Sequence, residues 1–264
     1  MTLLLSLLLV HLLADFPFQS QRMAKLKQRQ LRVLLGHMTV HSIGTAVVLG
    51  IFYTWGDLSG ATAWIIGGVI IGTHVLLDGS PFKRLLHPAL AFWIDQLLHL
   101  AILTGIVIYL TPVDWPTTFP LLDQVLWVSV WGLIATELIG RGIAPLLAPF
   151  APRLIESHFE RKVTRKEQLD GLKRSVTHEV EDSARSYTTE INGVGRYIGL
   201  VERAIIVCLV AVNATGAIGF IIALKALARF KQFDDRRFAE YYIIGSLLSI
   251  LAALLCGMVI RLAF

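Results

Sequence analysis

The stretch ATAWIIGGVIIGTHVLLD, Ala61–Asp78, decides the fold. Its single charged side chain, Asp78, comes last, four residues after His74. Crossing a hydrocarbon core of ~30 Å takes about 20 apolar residues in a helix, so this stretch reads as a membrane span. Comparable apolar stretches lie near residues 2–16, 32–55, 88–111, 119–150, 195–212, 216–230 and 238–262. The expected fold is all-α: a polytopic transmembrane helical bundle of about eight spans, or seven if 195–230 crosses once.

Composition agrees. Of 264 residues, 55% are hydrophobic and 16% charged, and the mean hydropathy is +0.66. Soluble domains carry about 25% charged residues, and a disordered chain could not tolerate this much apolar surface. Residues 151–193 hold eight Lys/Arg and eight Asp/Glu out of 43 charges in all, which leaves the rest of the chain poorer still in charge. The net charge of +5 therefore does not imply a nucleic-acid partner. Cys208 and Cys256 sit apart in apolar runs and read as packed free thiols.

The charges also orient the spans. The connection after the first apolar stretch carries Arg22, Lys25, Lys27, Arg29 and Arg32, and the one after the third carries Lys83 and Arg84, with no acid in either. The alternate connections, near Asp57 and Asp114, have an acid and no base. The positive-inside rule puts the basic connections in the cytoplasm and the N-terminus outside. Residues 151–193 and the basic stretch Lys225–Arg237 are both cytoplasmic if 195–230 goes in and returns, with Asn213-Ala-Thr-Gly216 as the turn. The expected units are 1–111, a four-helix membrane unit; 112–150, a fifth span; 151–193, a polar cytoplasmic segment; and 194–264, a membrane hairpin plus last span. In 151–193 the apolar residues Leu154, Ile155, Phe159, Val163, Leu169, Leu172 and Val176 suggest a small helical cap.

Ionisable groups inside spans cost about 2.5–3.5 kcal/mol each at the helix centre, and the first four spans carry a pattern of them. The pairs are His11 and Asp15, His37 and His41, His74 and Asp78, and Asp95 and His99. Each is spaced i, i+4, which puts both side chains on one helix face. The topology sets all four pairs at one depth, in the cytoplasmic half. Helical bundles build di-metal sites from such inward-facing groups. A mixed imidazole and carboxylate set favours Zn, with Mn or Fe as alternatives, over the oxygen-loving Mg and Ca. All eight residues are candidate ligands, with His37 alternatively a general base. A His and Asp proton relay is the competing reading. The runs His11-Leu-Leu-Ala-Asp15 and His74-Val-Leu-Leu-Asp78, each leading into a basic connection, suggest a two-helix repeat.

The run His11-Leu-Leu-Ala-Asp15-Phe with Gln19 and Lys25, then His37-x-x-x-His41, His74-x-x-x-Asp78 and Asp95-Gln96-x-x-His99, resembles the bacterial membrane family catalogued as domain of unknown function 3307. Gly199-Leu-Val-Glu202-Arg203, Lys225-Ala-Leu-Ala-Arg229-Phe230 and Glu240-Tyr-Tyr-Ile-Ile-Gly245 resemble its longer members. The resemblance implies a bacterial inner-membrane protein and names no activity. A looser similarity, in the intramembrane pairs only, is to inner-membrane proteins described as metal-dependent hydrolases.

Lys25, Lys83 and Arg84, beside the cluster, are candidate phosphate-binding residues, against a plain role in topology and anionic-lipid contact. Gln96 points about 100° away from Asp95 and is expected to support a ligand, and Glu202 is expected to pair with Lys225. The leading function is a metal-dependent membrane hydrolase acting on a lipid-linked or amphiphilic phosphoester. The alternatives are an ion- or proton-coupled transporter or channel, and a metal-stabilised scaffold for a cytoplasmic partner docking on 151–193. The expected partners are membrane lipids and an amphiphilic substrate.

Overall fold

The computed structural model describes residues 1–112, 118–151, 162–169, 172–179 and 194–264. Every apolar stretch singled out in the sequence is helical. Five helices are long and apolar enough to cross a membrane: Leu31–Thr54, Gly60–Gly79, Pro88–Leu110, Leu121–Phe150 and Arg236–Ala263. Their outer faces are apolar, with Trp64 84% exposed and Leu35, Ile43, Leu97, Leu247 and Leu255 also open. Water would not tolerate such a surface, whereas lipid does. This is a membrane protein.

Helix α1 (Thr2–Asp15) is the exception that organises the bundle. At 14 residues it is only about 21 Å long. It is apolar all round, the pattern of a helix buried on every side, and it packs against α3 (Leu31–Thr54), α5 (Pro88–Leu110) and α6 (Leu121–Leu133). A six-residue helix, α2 (Gln21–Leu26), follows, capped by Ser20 Oγ, which accepts from Met23 N. Helix α4 (Gly60–Gly79) packs between α3 and α5. Each long helix buries one stripe at helical spacing: Leu34, His37, Met38, His41, Thr45, Leu49 and Phe52 on α3; Ile66, Ile70, His74 and Asp78 on α4; Asp95, His99, Leu103 and Val107 on α5. Gly44 lets α1 and α3 come close. A Cβ there would stand 2.6 Å from Val10 Cγ1, and this closeness sets His41 against Asp15.

The stripes divide the four-helix unit into two halves. Leu3, Leu4, Leu7, Leu49, Phe52, Leu58, Ile66, Ile70, Leu103 and Val107 fill one half with an apolar core. The His and Asp pairs fill the other. Met1 lines a cavity at the apolar half together with Leu3, Leu4, Phe52 and Val107. The basic connections Arg22–Arg32, Lys83–Arg84 and Lys225–Arg237 emerge from the ends of the helices at the polar half.

A second group of helices leans on α1. Helix α6 runs through a π turn, Ile134–Leu138, into α7 (Ile139–Leu147). It packs with α8 (Val194–Ala211) and α10 (Arg236–Ile260) around Ala135, Ile206, Ile250, Ala253 and Ile260. The wider π turn leaves the Thr136 carbonyl to accept from Arg203 Nη2 at 2.7 Å, and Gly140 and Gly199 make room for that guanidinium. The expected turn after α8 is present. Asn213 takes φ 61°, a conformation asparagine tolerates, and its side chain accepts from Arg261 Nη1 at 3.0 Å. Helix α9 (Ile218–Ala228) then returns, and its Lys225 meets Glu202, the expected pair. Cys256 is buried, whereas Cys208 is exposed on the apolar surface.

The polar segment corrects one expectation. In place of a helical cap, its described residues form an antiparallel pair of strands, β1 (Lys162–Leu169) and β2 (Leu172–Glu179). Val163, Thr164, Val176 and Thr177 are β-branched and favour a pleated surface. The register sets Lys162 opposite Glu179 and Leu169 opposite Leu172. The expected apolar positions Leu154, Ile155 and Phe159 lie outside the described residues.

Candidate metal centre

All four pairs converge in the polar half. His11 and Asp15 come from the end of α1, His37 and His41 from the first half of α3, His74 and Asp78 from the end of α4, and Asp95 and His99 from the first half of α5. The five imidazoles form one packed group. His74 is central, its ring centroid 4.0 Å from that of His41, 4.1 Å from His99 and 5.1 Å from His11. His37 stands 4.6 Å from His41. None of the eight side chains is more than about one-tenth exposed.

Three sets of ligand atoms lie within 4.8 Å of one another: His11, His41 and His74; Asp15, His37 and His41; and His74, Asp78 and His99. Seven of the eight candidate ligands fall in these sets. The eighth, Asp95, is held at 2.6 Å by Lys83 and lies beside His99, whose Nδ1–H donates to the Asp95 backbone carbonyl at 2.8 Å. That bond fixes the His99 ring and leaves Nε2 as its free lone pair, the usual support of a metal-binding imidazole.

Asp15 is the hub on the other side. Its Oδ1 stands 3.0 Å from His41 Nε2 and 3.1 Å from His37 Nε2, and its Oδ2 accepts from Gln96 Nε2 at 2.9 Å. Gln96 thus supports a carboxylate from the neighbouring helix, the role its angular offset from Asp95 suggested. Gln19 stands with its Nε2 3.1 Å from His37 Nε2. Pro17 interrupts the helical face between Asp15 and Gln19, so helical spacing alone could not aim this side chain.

Two lysines close the cluster. Asp78, fully buried, accepts from Lys27 Nζ on Oδ2 at 2.8 Å and from Lys83 Nζ on Oδ1 at 2.9 Å. Lys27 Nζ also lies 3.3 Å from His37 Nε2. Burial works against the charge on Lys83, but Asp78 and Asp95 more than offset it and hold its pKa above the ordinary lysine value. Of the three cations expected to face a substrate, only Lys83 is seen in the cluster. Lys25 is exposed on α2, and the Arg84 side chain lies outside the described residues. Lys27, which helical spacing did not single out, takes the inward place.

Several buried imidazole nitrogens have no hydrogen-bond partner among the described residues: Nδ1 and Nε2 of His11, Nε2 of His74 and Nε2 of His99. The three rings lie within 5.6 Å of one another. A buried polar atom left unpaired costs about 1–3 kcal/mol, so four in one place need an explanation. Unpaired imidazole nitrogens converging beside carboxylates are what a divalent ion would take, and the buried His and Asp groups could hold one.

No curated protein and no solved structure matches the chain. The segment that carries all four pairs, residues 3–126, matches the model of the family described as Protein of unknown function (DUF3307).

Proposed function

We propose that this chain is a membrane metalloenzyme. Its four-helix unit holds divalent metal and hydrolyses a phosphoester on an amphiphile reached from the polar end. The unpaired nitrogens of His11, His74 and His99 carry this reading. His11, His41 and His74 would hold the first ion, with Asp15 behind them, and Asp78 and His99, whose set shares His74 with the first, offer a second place. Three imidazoles with a fourth position open suit zinc, with manganese or iron as alternatives. A bound ion of this kind polarises a phosphoryl oxygen and lowers the pKa of the water it holds to about 7.

The chain's own residues supply the rest. His37, between Asp15 and Asp78, would be the general base if it gives up its proton to these carboxylates. Lys83, with Lys25 and Arg84 nearby in sequence, draws the anionic headgroup towards the centre. The excess of Lys and Arg on the connections at the polar half supports the reading that this half faces the cytoplasm, and the membrane of the proposal is a bacterial inner membrane.

The competing relay reading has one observation in its favour, the hydrogen-bonded series Gln19, His37, Asp15 and His41. Further along α3 the buried stripe continues through Thr45 to Leu49 and Phe52 of the apolar core, and apolar side chains offer a proton no further step. Hydrolysis at one membrane face needs no such path.

Elemental analysis of the protein purified in detergent is expected to find at least one zinc, manganese or iron per chain. Adding zinc to chelator-stripped protein should raise the unfolding midpoint, since a ligand at a thousand times its Kd contributes about 4 kcal/mol. Absence of both bound metal and thermal shift would overturn the metal reading. Metal-loaded protein that releases no phosphate from lipid phosphate monoesters in micelles would overturn the hydrolytic half alone.

A further inference from the structure

We propose that Lys27 and Lys83 are resident counter-ions that hold the second metal place shut. The centre then loads one divalent ion readily and admits a second only when these ammonium groups leave Asp78. This rests on the metal reading above and adds an order to it.

The two places differ in what already occupies their ligand atoms. Among the described residues, neither nitrogen of His11 and not Nε2 of His74 has a hydrogen-bond partner. An ion entering the set His11, His41 and His74 therefore displaces little beyond the bond from His41 to Asp15. His74 is common to both sets, so with the first ion bound the second place offers Asp78 and His99; its anionic ligand is Asp78, and both its oxygens are taken, one by each lysine. Charge-assisted contacts to a buried carboxylate are the strong kind, and an ion can use Asp78 only by breaking at least one.

Charge gives the same order. With the imidazoles neutral, as ligation requires, Asp15, Asp78 and Asp95 against Lys27 and Lys83 leave one negative charge in the cluster. One divalent ion turns this into one positive charge. A second, with the lysines in place, would leave three in a buried site, and unpaired buried charge is expensive. Moving Lys27 and Lys83 out to the interface restores the balance for two ions. Both can move. Lys27 follows the last residue of the six-residue helix α2, and Lys83 lies in a four-residue 3-10 turn, so each sits on a connection at the membrane edge from which a long side chain can snorkel to water.

Chelator competition with elemental analysis tests this on the full-length protein in detergent. In the wild type the second zinc is expected to bind at least about a hundredfold more weakly than the first, because it must break buried charge-assisted pairs. In Lys27→Met/Lys83→Met that gap should shrink to about tenfold or less, since the competing cations are gone. Lys27→Arg/Lys83→Arg, which keeps the charges, should behave as wild type. Retention of the first zinc shows that a variant's bundle is intact. A second readout needs no variant. Acylation by an amine reagent should reach Lys25 at all zinc levels, and should reach Lys27 and Lys83 only in protein carrying two ions. Two ions of equal affinity in the wild type, or two-ion protein whose Lys27 and Lys83 stay protected, would overturn the counter-ion role and leave the metal reading standing. No zinc in any form would overturn the metal reading itself.

Discussion

His74→Leu is expected to abolish metal binding while leaving the metal-free protein at least as stable as wild type. His74 is the one residue shared by the sets His11, His41, His74 and His74, Asp78, His99. Its ring lies about 4 Å from those of His41 and His99. Changing even an outer partner of a metal ligand costs 10- to 100-fold in affinity, so losing this ligand should cost more than about a hundredfold. Stability should move the other way. His74 is 3% exposed and its Nε2 has no partner. Leucine fills similar space on an α4 stripe already made of Ile66 and Ile70 and removes a buried polar atom that costs about 1–3 kcal/mol unpaired. Zinc should therefore no longer raise the unfolding midpoint of the variant, although the midpoint in chelator stays level or rises. His87→Ala, at the exposed cap of α5, should keep the zinc response. A zinc shift of wild-type size in His74→Leu would remove the metal centre from these residues.

The convergence of the four pairs is largely legible in the sequence, for a geometric reason. Spacing of i, i+4 puts two side chains on one helix face whatever the surroundings, and in a membrane the polar face must turn inward. The pairs therefore had little choice but to meet, once the basic connections set the direction of each span. Where the chain leaves the helix, that reasoning stops. Arg22, Lys25, Lys27, Arg29 and Arg32 look alike in sequence, and the path of residues 16–30 decides that Lys27 turns inward while Lys25 faces out. Gln19 reaches His37 past Pro17 for the same reason. Asp95 shows a different limit. Helical spacing puts it on the face of His99, but it cannot say that Lys83 will claim the carboxylate. In the polar segment, 151–193, charge balance hid the strand signal. Seven apolar residues at mixed spacing suggest an amphipathic helix, yet the described residues pair as two antiparallel strands, which suits the β-branched Val163, Thr164, Val176 and Thr177.

Asp78→Asn is expected to destabilise the metal-free protein by about 3–5 kcal/mol, the cost of leaving buried charge without its partner. The effect should depend on Lys27 in a way that ordinary packing loss cannot imitate. Asp78 is 0% exposed and holds both lysines. Without its charge Lys83 keeps Asp95 at 2.6 Å. Lys27, 9% exposed, keeps only the His37 ring. Lys27→Met in the wild-type background removes one of the two cations on Asp78 and should destabilise. In the Asp78→Asn background the same change removes a stranded ammonium and should stabilise, recovering part of the loss. The coupling between the two positions is the difference between these effects, and coupling of 0.5–3 kcal/mol is typical of residues in direct contact. Lys25→Met, on the exposed face of α2, should change either background by less than about 0.5 kcal/mol. Unfolding in mixed micelles with chelator present reads all of these without metal. If Lys27→Met lowers stability equally in both backgrounds, the Lys27 ammonium reaches water on its own stem and the buried pair carries no net weight. A reversal of sign means that Asp78 holds the lysine inside, and that an ion arriving at Asp78 must compete with it.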